Sequence, residues 1–156
     1  MKVHVLLADK GTQNPQAGTL NLLNVGWGGT GVNPQGMTPP AAVAMFFEAE
    51  FLECNQPVSV VLELLDEDGH VVNVPGPTGP QPMRVQQSVS IATPVGAPAG
   101  APGKANILTE VHPGLPLSAG SYKWVVTIDG RTSDDWTVTF FVVSPPQPPV
   151  FGNPQP

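Results

Sequence analysis

The chain has 156 residues, enough for one domain with a real core and too few for two comfortable ones. Its 20 Pro and 17 Gly, against 12% charged residues, predict long irregular loops, while 40% apolar content exceeds what a disordered chain carries. A formal net charge of -6, with six Lys and Arg scattered singly, offers no footprint for a phosphate backbone or an anionic lipid surface, so neither nucleic acid nor membrane is an expected partner.

No apolar stretch reaches bilayer-spanning length, and Lys2, His4, Asp9 and Lys10 surround only a short apolar run. Without the apolar centre and cleavage site of a signal peptide, the chain is expected to be cytoplasmic at synthesis, with any later external location coming from assembly. Cys54 is the sole cysteine, which excludes an intrachain disulfide, and it reads as a small buried hydrophobe at a strand end rather than a nucleophile.

In chain order, residues 3–8 read as a first strand, ended by the polar segment 9–15. Residues 18–27 read as a second, with Leu20 and Leu22 on one face and Leu23, Val25 and Trp27 on the other after a register change that predicts a bulge. Gly26-Trp27-Gly28-Gly29-Thr30-Gly31 then matches the Gly-x-Gly-x-x-Gly spacing of a dinucleotide loop, with Glu48 and Glu50 where a ribose contact would stand. Its context is wrong. The following residues, with Pro34, Gly36, Pro39 and Pro40 among them, cannot form the helix whose N-terminus receives the pyrophosphate, so the segment reads as a mobile loop.

Residues 42–54 alternate, placing Val43, Met45, Phe47, Ala49 and Phe51 on a core face and Ala44, Phe46, Glu48, Glu50 and Leu52 opposite. Pro57 opens a strand to residue 65, and Asp66-Glu67-Asp68-Gly69 turns it into residues 70–74 as a hairpin. That acidic turn lacks the Asp-x-Asp-x-Asp-Gly spacing and distal Glu of a calcium loop, so it reads as a solvated turn. Residues 75–82 carry two collagen-like triplets, too few for a triple helix, and read as a stiff connector. Residues 84–92 form a further strand, residues 93–103 a low-complexity loop, and residues 105–111 either a strand or a short helix between Gly103 and Pro113.

The strongest local pattern lies beyond. In residues 121–128, Tyr122, Trp124, Val126 and Ile128 share a face; in residues 136–143, Trp136, Val138, Phe140 and Val142 do. The polar segment 129–135 between them reads as the turn of a hairpin. Its aromatic faces require a second layer to pack on.

The residues leading in, Leu115-Pro116-Leu117-Ser118-Ala119-Gly120-Ser121-Tyr122, resemble the approach to a late strand in immunoglobulin-like sandwiches, where the Tyr hydroxyl bonds back to nearby backbone. Together with residues 1–8, the Gly18-Thr19-Leu20-Asn21-Leu22-Leu23 run and Leu65-Asp66-Glu67-Asp68-Gly69, the chain resembles a family of uncharacterised proteins of actinobacteria and their phages. The resemblance brings no catalytic residues. The expected fold is all-β, an immunoglobulin-like antiparallel β-sandwich over residues 1–144, with long Pro/Gly-rich loops and an extended arm over residues 145–156.

Chemistry is sparse. His4, His70 and His112 lie far apart in sequence, no nucleophile or phosphate-loop motif is present, and Asp134-Asp135 and Glu48-Glu50 read as solvated faces. The expectation is therefore no enzyme, no cofactor, no metal and no small-molecule substrate. The favoured function is a structural or interaction protein of a larger assembly, which in the context of the resemblance means a phage virion accessory component, a capsid decoration or tail protein. The alternative is a cytoplasmic actinobacterial binding module. In the arm, Pro145, Pro146, Pro148 and Pro149 predict stiff polyproline II, and Val150 and Phe151 an anchor that docks on a neighbouring subunit.

Overall fold

The computed structural model describes residues 1–145. In chain order the strands are β1 (Lys2–Ala8), β2 (Lys10–Asn14), β3 (Thr19–Leu23), β4 (Gly29–Thr30), β5 (Ala41–Ala49), β6 (Pro57–Leu65), β7 (Asn73–Gly76), β8 (Gly79–Pro82), β9 (Arg84–Ser90), β10 (Gly103–Val111), β11 (Gly120–Ile128) and β12 (Arg131–Val142). A 3-10 turn at Phe51–Glu53 is the only helical element among the described residues. The chain is all-β, in several antiparallel sheets.

Two sheets carry the core. A three-stranded sheet runs β1-β5-β10 and a five-stranded sheet β4-β12-β11-β6-β9, antiparallel throughout except where Gly29 and Thr30 run parallel to Phe141 and Val142. Val43, Met45, Phe47 and Ala49 of β5 are buried on one face, as period-2 alternation requires. In the larger sheet Trp124, Val126 and Ile128 stand opposite Leu64, Leu62 and Val60, so inward side chains of neighbouring strands align. Residues of both sheets merge into one buried cluster that includes Val5, Leu7, Ile107, Tyr122 and Phe140. Full burial of each large apolar side chain contributes about 1.5–3 kcal/mol. Trp136 and Val138 pack, half-buried, against the same cluster.

The main hairpin is tighter than its polar segment implies. Only Asp129 (φ 48°) and Gly130 (φ 77°) turn, both in the left-handed region that a two-residue type I′ connection needs. Residues 131–135 extend β12 instead, and Ser133, Asp134, Asp135 and Trp136 all lie opposite Val126 in a special bulge, larger than the usual two residues against one, between Thr127↔Thr132 and Val125↔Thr137. Asp129 ties the turn to β6: its amide donates to Ser59 O at 2.9 Å, and its Oδ1 accepts from the Ser59 amide at 2.8 Å.

Four expectations are corrected. The polar segment 9–15 contains β2, which pairs with β3 and lies against β5 and β10; its buried position is Gly11, where a Cβ would sit 2.8 Å from Leu108 Cδ1 and 2.9 Å from Leu22 Cδ2. The run 18–27 is not one regular strand: β3 ends at Leu23, the chain bends at Asn24 (φ 51°) and then continues alongside the end of β1, with Asp9 N bonded to Leu23 O at 3.0 Å and Gly26 N to Leu7 O at 2.8 Å. Phe51 leaves the core face because β5 stops at Ala49, and it stands 52% exposed on the 3-10 turn. Residues 70–74 make only a single bridge to β6, Leu65↔Val71, because Asn73 onward pairs elsewhere; the connector 75–82 is the β7–β8 hairpin.

Elsewhere the ambiguity at residues 105–111 resolves as a strand, since the segment completes a sheet beside β5. The loop 93–103 holds two successive β-turns closed by Ala97 N→Pro94 O and Ala101 N→Pro98 O, both 3.1 Å. Gly96 (φ 80°) and Gly100 (φ 82°) supply the positive φ that a type II turn needs at its third residue.

Candidate functional site

The polar residues singled out in the sequence do not converge. His4, His70 and His112 are exposed on separate elements. Glu48 lies between Lys2 at 3.7 Å and Lys104 at 3.9 Å as cross-strand ion pairs, while Asp134 and Asp135 are exposed in the β12 bulge. The dinucleotide-like segment supplies β4 and no helix follows it. Asp66, Asp68 and His70 do come together, with ligand atoms within 4.8 Å of one another. Turn closure accounts for this, because Asp66 Oδ1 accepts from the Asp68 and His70 amides at 3.0 and 2.9 Å.

Cys54 is buried, its Sγ 3.2 Å from Glu50 O, in keeping with a packing role. Beside it, the Met1 ammonium donates to Glu53 Oε2 at 3.0 Å. That bond first, and then the bond to the Glu50 amide, hold the Glu53 carboxyl below its ordinary pKa. Pro145 is exposed just past β12, whereas Pro146, Pro148, Pro149, Val150 and Phe151 lie outside the described residues.

A cavity of about 120 Å³ opens at one end of the shared core. Leu7, Val43, Val111, Leu115, Leu117, Trp124 and Phe140 supply its apolar wall, and Trp27 completes it. Past the bend at Asn24 this indole lies edge-to-face with Phe140, ring centroids 5.8 Å apart at 81°; Phe140 in turn stacks on Tyr122 at 5.7 Å. Gly26 N bonds to Leu7 O at 2.8 Å, and Asn24 Nδ2 donates to Asp9 Oδ2 at 2.8 Å, so the loop is fastened to the end of β1.

The other side of the cavity is locked by a reciprocal pair. Thr38 N donates to Leu115 O and Leu115 N to Thr38 Oγ1, both at 2.9 Å. Against this well-satisfied background Trp27 Nε1 is an exception: with Thr93 Oγ1, it is one of two buried side-chain polar atoms without a partner among the described residues. A buried N–H in that condition is costly, and native structures contain few of them. Sequence reading gave Trp27 no role, although a tryptophan inside a glycine-rich loop is itself a signal, since a solvated loop has no need of so large an apolar side chain.

Compared with protein-family models and with curated proteins, the chain matches none. Among the described residues no helix is long and apolar enough to cross a membrane.

Proposed function

We propose that the chain is an immunoglobulin-like antiparallel β-sandwich acting as a non-enzymatic structural or interaction protein, docked on neighbouring subunits of a larger assembly. The fold reading rests on the shared two-sheet core and on Tyr122, whose hydroxyl donates to Ser118 O at 2.9 Å, the back-bond of a tyrosine corner. The functional reading rests on one observation. Phe51 and Leu52 stand 52% and 89% exposed beside Gly100 and Pro102 in a shallow groove, an apolar patch that solvent alone does not favour.

In the context the family resemblance implies, the assembly is a virion, and the chain a capsid decoration or tail component whose arm from Pro145 to Phe151 adds a second contact. A mass-spectrometric inventory of purified virions tests this: the chain should be present in fixed stoichiometry with the capsid or tail proteins, and Leu52→Asp should reduce its incorporation at unchanged melting temperature. Absence from virions, or full incorporation of the variant, refutes the reading. The cavity beside Trp27 favours a second one, a binding module for a small ligand, in which the partner surface is secondary.

A further inference from the structure

We propose that the partner seated in the Phe51–Leu52 groove is a second copy of this chain, entering with Val150 and Phe151 of its proline-rich arm. The inference rests on the reading of that groove as a contact surface and names its occupant.

Position sets the first constraint: arm and groove stand at opposite ends of the shared core. β12 ends at Val142, which pairs with Gly120 at the start of β11. The next residue, Val143, still donates its N–H to Thr30 O at 2.9 Å, so the arm leaves the fold at this end. β11 finishes at Ile128 opposite Val60, and β6 begins just beyond at Pro57, paired with Ser90. Asn55 N donates to Ile91 O at 2.9 Å and Ala92 bridges Lys104, which puts the 3-10 turn and the start of β10 at this second end. Between the two ends lie the nine residues of β11, about 26 Å at the rise of a strand. From Pro145 to Phe151 the chain spans about 19 Å as polyproline II and about 22 Å fully stretched. A chain therefore cannot seat Phe151 in its own groove, whereas the groove of another copy is open to it.

Chemistry sets the second constraint. The sequence of the arm predicts polyproline II, whose turn of about three residues puts Pro145, Pro148 and Phe151 on one edge. Proline-rich segments of this kind dock in grooves with aromatic walls, and being stiff they lose little freedom on contact. Phe51 and Leu52 supply such a wall, with Gly100 and Pro102 beside them. Both sides of the groove are already fastened, by Glu53 N→Glu50 O at 2.8 Å and Ala101 N→Pro98 O at 3.1 Å, so docking has only the arm to order.

Charge sets the third. Two copies with a formal charge of -6 each repel, and they approach with least penalty through uncharged segments. Residues 144–156 contain no Asp, Glu, Lys, Arg or His, and among the described residues lining the groove only Glu50 is ionisable. Added salt should accordingly strengthen the contact by screening the repulsion, the reverse of its effect on an ion-paired interface.

Sedimentation velocity of the purified full chain tests this, with Leu52→Asp to spoil the groove and Phe151→Asp to spoil the arm. The average mass of the wild-type chain should rise with protein concentration and rise further with salt, while each variant alone stays at the monomer mass. Because the contact joins two unlike surfaces, an equimolar mixture of the variants should restore pairing, the intact arm of one entering the intact groove of the other. Wild-type chain that stays monomeric up to about 1 mM, the range of weak contacts, overturns the proposal. So does a mixture no heavier than its components, or self-association of the Phe151→Asp chain, the sign of a groove-to-groove contact. None of these results touches the assembly reading, which the virion inventory decides separately. The wild-type series stands even if a variant fails to fold.

Discussion

Gly114→Ala should be among the most destabilising single-methyl additions in this chain. Gly114 has φ +125°, where an L side chain is strained, and a Cβ there would lie 2.0 Å from Thr38 O and 3.3 Å from Pro39 O. Both neighbours are backbone atoms and cannot swing aside as a side-chain tip can. Relief requires the segment around Thr38 to part from Leu115, which breaks the two reciprocal 2.9 Å bonds between them. Strain of about 1–3 kcal/mol, joined to about 1 kcal/mol for each bond, gives a loss of about 3–5 kcal/mol. For a domain of this size that lowers the melting temperature by roughly 6–20 °C. Gly36→Ala is the matched control: it stands in the β4–β5 loop that carries Thr38, with a positive φ of +77° but open space where the Cβ would go. It should lose only about 1–2 kcal/mol. Urea unfolding followed by tryptophan fluorescence measures both. Equal losses at the two positions would refute the reasoning, since the close approach to Thr38 would then contribute nothing.

Trp124→Ala, at 2% exposure in the larger sheet, should cost about 3–5 kcal/mol in the same assay, and a variant as stable as the parent would count against a shared core. Tyr122→Phe keeps the ring on Phe140 and removes the bond to Ser118 O, for a loss of about 1 kcal/mol; no loss would leave the corner without an energetic role. Because the folded-state pKa of Glu53 is lowered, its stabilisation is present above the ordinary value of 4.5 and is lost as pH falls through the lowered one. Glu53→Gln should therefore flatten the acid limb of a stability-versus-pH series, and an unchanged limb would dismiss the contact with Met1. Dialysis against chelator should leave the melting temperature unchanged, and a large fall would show that Asp66, Asp68 and His70 hold an ion.

The elements legible in the sequence were those whose apolar side chains state their own period. β11 alternates Tyr122, Trp124, Val126 and Ile128 into the core with polar or half-buried residues outward, and β5 and β6 show the same period on their core faces, although Ala42, Ala44 and Val61 on the opposite faces are buried as well. β2 escaped because its inward position is Gly11, which has no side chain for a hydropathy pattern to register. β7 and β8 escaped because Pro75 pairs with Pro80, and proline, lacking an N–H, argues against a strand everywhere except at an edge. Neither difficulty is one of propensity alone: all three strands are set by what lies across from them. The cavity was illegible for a different reason. Leu7, Trp27, Thr38, Leu115 and Trp124 come from five separate segments, and no spacing rule links them until the sheets have closed.

The order of strands in the three-stranded sheet has a consequence for biosynthesis. β5 must pair with β1, made long before it, and with β10, made long after. β6 meets β9 early, yet its other partner, β11, begins only at Gly120. At roughly 5–20 residues per second, a ribosome that has finished β6 needs several more seconds to deliver β11, and through that interval the apolar faces of β5 and β6 are uncovered. What it translates in the meantime includes segment 75–82 and segment 93–103, rich in proline and glycine and poor templates for mispairing. Shortening or hydrophobising these segments is expected to lower the yield of soluble nascent chain while changing the stability of the finished protein little.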